Sequence, residues 1–85
     1  MGDINKNKDS FPLLLAQENE LLRIVDLKGG RHFKDKCFNQ GLIPGQKLKI
    51  ISNPGNGPCL VLVNNARIML GHQMLGRIYV SKVKQ

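Results

Sequence analysis

Four side chains in this chain are chemically soft enough to hold a transition metal or to react: His32, Cys37, Cys59 and His72. Their spacings of five, 22 and 13 residues match no closed zinc or iron–sulfur pattern, and no Cys-x-x-Cys pair is present. Cys37 and His72 are the pair most able to meet, if a helix carrying the first and a turn carrying the second share one end of a domain. The competing reading is that each cysteine is a small packed hydrophobe and each histidine a surface group. Machinery for catalysis is harder still to find. No Ser or Cys has a nearby His and a third orienting group, and from Asp26 onward the only carboxylates are Asp26 and Asp35. The phosphate-binding glycine signatures are absent, and Gly29-Gly30-Arg31 reads as a strand-to-helix turn sooner than as an anion nest. The chain is expected to be no enzyme.

Contact chemistry is better represented. Lys28, Arg31, Lys34 and Lys36 cluster around one short helical segment, and Lys47 and Lys49 share a strand face. With only Phe11, Phe33, Phe38 and Tyr79 as aromatics, base stacking has few platforms, so a basic nucleic-acid-binding adaptor is the weaker alternative. A shallow apolar cleft lined by Phe33, Lys34, Gln40, Leu42, Met74 and Leu75 is the candidate partner-binding surface. Phe33, Leu42 and Leu75 can equally serve as the plug of a barrel end.

Charge supports an anionic partner. The chain has 85 residues and a net charge of +7, distributed as −2 over residues 1–26 and +9 over residues 27–85. Solubility alone would also account for such a surface. Two cysteines are too few for a disulfide framework and fit a reducing compartment. Apolar runs are far shorter than the roughly 20 residues of a membrane span, and no secretion signal opens the chain, so a cytoplasmic location is expected.

The elements that must position these groups follow from turn chemistry and periodicity. Residues 1–11 read as a flexible polar N-terminus and 12–85 as one domain. Leu21 to Lys28 reads as a first strand whose apolar residues break strict alternation, through a bulge or through partial cover of both faces. Arg31 to Gln40 reads as a short helix stopped by Gly41 in a Schellman motif, with Leu42 folding back on Cys37. Pro44-Gly45 supplies a type II turn before the strand Gln46–Ser52. Asn53 to Pro58 is a loop, and Cys59–Val63 is a central strand. Asn64-Asn65 turns the chain into the strand Ala66–Leu70. One helical turn over His72–Gly76 precedes a last strand over Arg77–Val83. The expectation is a mainly β, partly open five-stranded barrel with one short helix between the first two strands and a helical turn before the last.

Read in order, Leu27-Lys28-Gly29-Gly30, Gly41-Leu42-Ile43-Pro44-Gly45, Gly57-Pro58, Ile68-Met69-Leu70-Gly71 and Ile78-Tyr79-Val80 resemble the FeoA-like family (ferrous iron transport protein A). The resemblance runs from about Pro12 to Val83. It implies an SH3-like barrel, related to the C-terminal domain of diphtheria-toxin-repressor-type regulators. It also implies a non-catalytic role in ferrous iron uptake, beside the cytosolic part of a permease, ferrous iron transport protein B. A transition metal ion, iron or zinc, is the one cofactor it suggests, and a stand-alone metal-sensing module is the second alternative. Cys37, Gln40 and Leu75 stand where the family usually has Leu, Met or Leu, and Ala, so the departures fall on the helix face and its neighbourhood.

Overall fold

Leu22, Ile24 and Leu27 point inward from a single strand although they do not share one alternation, and the reason is a bulge. In the computed structural model, which describes residues 9–83, strand β2 (Leu21–Leu27) pairs antiparallel with β6 (Ile78–Lys82). Ile24 faces Val80 and Asp26 faces Tyr79, so β2 spends one extra residue at Val25. The inward set therefore shifts by one place, and all three side chains stay buried. The bulge alternative, rather than a doubly covered strand, is what the LLRIVDL pattern records.

The remaining elements are β1 (Phe11–Pro12), α1 (Arg31–Asn39), β3 (Lys47–Ser52), β4 (Cys59–Val63), β5 (Ala66–Leu70) and α2 (His72–Leu75). The strands form one antiparallel sheet in the order β1-β6-β2-β3-β4-β5. It curls around the core without closing, since β5 and β1 do not pair with each other. This is the expected mainly β, partly open SH3-like architecture, with one two-residue strand added at the edge. That strand continues into a 3-10 turn over Leu13–Leu15, which buries Leu13 completely. Residues 1–8 of the N-terminus expected to be flexible lie outside the described residues, and Phe11 already belongs to the sheet.

Turn chemistry behaves as the residue types require. Asn64 and Asn65 both take positive φ (51° and 66°), the twist a two-residue hairpin needs between β4 and β5. Gly45 has φ +95°, and the Gln46 amide donates to the Ile43 carbonyl at 3.0 Å, closing the type II turn over Pro44-Gly45. Alternating inward residues of β3 and β4 (Leu48, Ile50, Cys59, Val61, Val63) meet Leu13, Leu22, Leu42, Leu70, Leu75 and Ile78 in one cluster. No polar or charged residue is buried among the described residues.

Candidate interaction surface

Phe33 is set by its neighbours before it can be offered to a partner. A Cβ on Gly29 would lie 2.5 Å from Phe33 Cδ2, so the ring can lie against that backbone only because Gly29 has no side chain. On its other side the Arg77 guanidinium stands 5.9 Å from the ring centroid, and Lys28 Nζ stands 4.8 Å from the centre of Tyr79. The Lys28 amide donates to the Arg77 carbonyl at 2.8 Å, which joins the end of β2 to the entry of β6. Two aromatic rings and two cations thus share the end of the fold where α1 begins. Both rings are only partly exposed, which leaves Phe38, 50% exposed on α1, as the exposed aromatic among the described residues. A stacking surface for bases is not assembled here.

The six residues expected to line one cleft divide into two groups. Leu42 and Leu75 are fully buried and Met74 nearly so, because the Schellman stop folds Leu42 onto the helix and α2 packs against the 3-10 turn Leu13–Leu15. As surface contacts Leu42 and Leu75 are unavailable: both belong to the buried core cluster. Lys34 is exposed, and Phe33 and Gln40 are half-exposed, so the accessible remnant lies along α1. Ile43, 44% exposed just past the helix stop, joins Phe38 as an apolar surface residue that sequence reasoning passed over. The periodicity of α1 did carry a signal for Phe38, since it stands beside Cys37 and cannot share its inward direction.

The expected metal pair fares differently at its two members. Cys37 is wholly buried in the core, and burial raises its thiol pKa, with Lys36 pulling weakly the other way. His72 is exposed at the start of α2. Cys59 is buried under β4, and desolvation, with the Glu18 carboxylate adding, pushes its thiol up to about 11. Metal binding needs the thiolate, which burial opposes at both positions. Among the described residues no three His, Cys, Asp or Glu side chains converge. The described residues do not fit a resident metal centre.

A separate open cleft of about 250 Å³ is lined by Phe11, Leu15, Gln17, Glu20 and Lys82. The Lys82–Glu20 ion pair, 3.5 Å long, crosses it. Among the described residues no helix is long and apolar enough to cross a membrane.

Comparison with known proteins places this geometry. A family model described as the FeoA domain matches residues 11–82, the span from β1 to β6. The crystal structure of an iron uptake regulatory protein (FeoA) superposes with a TM-score of 0.83 at 26% identity, covering 87% of this chain and 99% of that one. The solution structure of iron(II) transport protein A from Clostridium thermocellum gives 0.74 at 27% identity, covering 92% of this chain and 44% of that one. A manganese-dependent transcriptional repressor shares the fold alone, with a TM-score of 0.80 at 13% identity over 87% of this chain and 42% of that one. No curated protein matches the chain.

Proposed function

The chain belongs to the FeoA domain family, a non-catalytic family of iron-uptake accessory proteins, and on that premise we propose that it works by docking on the cytosolic part of the ferrous iron permease, ferrous iron transport protein B. The observation that carries this reading is the family match itself, which takes in every strand and helix of the described fold. The surface is compatible with it. Ten of the bases and a single acid fall in residues 27–85, so an acidic cytosolic partner would be drawn in electrostatically before short-range contacts form. The working location is then the cytoplasm, with the membrane reached through the partner. Iron is the cargo of the system, and this chain's own residues are assigned no ligand role.

Titration of the full chain against the isolated cytosolic portion of the permease tests the reading. Saturable binding that weakens as salt rises is expected. No binding at concentrations on the order of tens of micromolar would remove it.

A further inference from the structure

The outer face of β3, β4 and β5 is built as a trough. Pairing register sets Lys49 directly opposite Leu62, and Leu62 directly opposite Arg67, so these three side chains form one row across three strands. One step along, Leu60 stands opposite Met69. Alternation sends Cys59, Val61 and Val63 into the core and Leu60 and Leu62 outward. Leu60 and Leu62 are nonetheless half-buried, whereas Lys49, Arg67 and Met69 are exposed. The leucines are therefore a floor and the cations are walls, with Lys47 extending the β3 wall. No acidic residue occurs in β3, β4 or β5, and among the described residues none of Lys47, Lys49 and Arg67 has an ion-pair partner.

From this arrangement we infer that the trough seats an acidic amphipathic helix of a partner protein, its apolar stripe on Leu60 and Leu62 and its flanking carboxylates on Lys49 and Arg67. Walls two strand spacings apart stand roughly 10 Å from each other, close to the diameter of one α-helix with its side chains. A helix laid on a sheet is also the standard way to cover an apolar sheet face. The alternatives fit less well. An anionic bilayer would be met by several apolar side chains that protrude together, whereas here Met69 alone is exposed and the two leucines are half-buried between charged neighbours. Phosphates of a nucleic acid would be met by the cations with no use for the leucine floor. The inference deepens the docking reading, and rests on it only for the identity of the partner.

The test uses the isotope-labelled full chain and three probes. The first is a synthetic helical peptide with Leu at i, i+3, i+4 and i+7 and Glu on both flanks. The second is the same peptide with Lys for Glu, and the third is vesicles of phosphatidylcholine and phosphatidylglycerol. The Glu peptide is expected to shift amides of β3, β4 and β5, and the Lys peptide to shift none. Lys49→Glu with Arg67→Glu is expected to weaken the Glu peptide by roughly tenfold or more, with spectral dispersion retained. Lys49→Gln with Arg67→Gln carries the same test if the reversal disturbs folding. Shifts confined to α1, unaltered affinity in both double variants, or binding to vesicles but not to the peptide would overturn the inference. The permease fragment separates the two readings. Binding it with undiminished affinity in the double variants sinks the trough and spares docking. Failure of the fragment beside success of the Glu peptide sinks docking and spares the trough.

Discussion

The backbone amide of Leu42 donates to the carbonyl of Cys37 at 2.8 Å, across the corner made by Gly41. The Gly41 amide meanwhile donates to the Phe38 carbonyl at 3.0 Å, completing the paired bonds of a Schellman stop. Because Leu42 and Cys37 are both wholly buried, ending the helix and sealing the core are one event.

That corner depends on Gly41, whose φ is +83°. A Cβ placed there has room, its nearest neighbour being Val63 Cγ1 at 4.0 Å, so any cost of substitution is conformational rather than steric crowding. Gly41→Val should lower unfolding free energy by more than about 1 kcal/mol, and Gly41→Asn by clearly less. Urea midpoints for the three proteins decide it; equal midpoints would mean the stop does not need this residue.

Gly29 makes the opposite case. Its prospective Cβ meets Phe33 at Cδ2, Cγ and Cβ, the last at 3.0 Å, so a rotation of the ring alone cannot clear the space. Gly29→Ala is expected to cost about 1–3 kcal/mol. In a Phe33→Ala background the same change should cost less, since the contacts to Cδ2 and Cγ are gone and only the one to Cβ remains. A double-mutant cycle by chemical denaturation reads the coupling, and additive effects would count against the contact.

Asn53 ties the hairpin loop to the N-terminal segment. Its Nδ2 donates to the carbonyls of Ala16 at 2.7 Å and Leu14 at 3.3 Å, while its own amide donates to Glu18 Oε2 at 3.2 Å. Asn53→Ala should cost about 1–2 kcal/mol. Asn53→Asp should cost more, since a carboxylate would face two carbonyls and Glu18 with no donor to offer. Thermal unfolding of the two variants tests the order, which a peripheral role for Asn53 would reverse or erase.

Burial of Cys59 sets a pH dependence. Its folded-state pKa of about 11 lies above the ordinary thiol value of 9.0, so between these pH values the unfolded chain loses the proton and the folded one keeps it. The stabilising contribution is complete below pH 9 and is lost as pH rises through 11, about 2 kcal/mol of it by pH 10.5. Urea midpoints at pH 8 and pH 10.5 should fall accordingly, and Cys59→Ala should flatten that fall. An unchanged slope in the variant would assign the alkaline loss elsewhere.

Cys37 separates packing from ligation. As a packed side chain, Cys37→Ala should cost roughly 1 kcal/mol whether or not Fe²⁺ or Zn²⁺ is present. A loss of stability that appears only in the presence of metal would restore the ligand role. Melting curves with and without metal give the answer.

Much of this protein was legible without coordinates, because its turns are chemically explicit. Gly41, Pro44-Gly45 and Asn64-Asn65 each need an uncommon backbone angle, and residue type announces such a need locally. The broken alternation of Leu21–Leu27 signalled irregularity, though only pairing with β6 showed it to be a bulge. The candidate cleft was legible in part. Lys34 belongs to a basic cluster around the helix and is exposed, but Leu42 and Leu75 read equally as surface or plug.

What the chain determines by itself is therefore the local grammar: where helix and strands stop, which face of each strand is apolar, and a family order of motifs from residue 11 to residue 82. Tertiary structure alone decided which apolar residues are buried, half-buried or at the surface. It set Lys49 and Arg67, 18 positions apart, on either side of Leu62 through strand register. The physical reason is that side-chain direction is a local property, whereas neighbourhood across strands depends on hydrogen-bond register between segments that carry no record of each other.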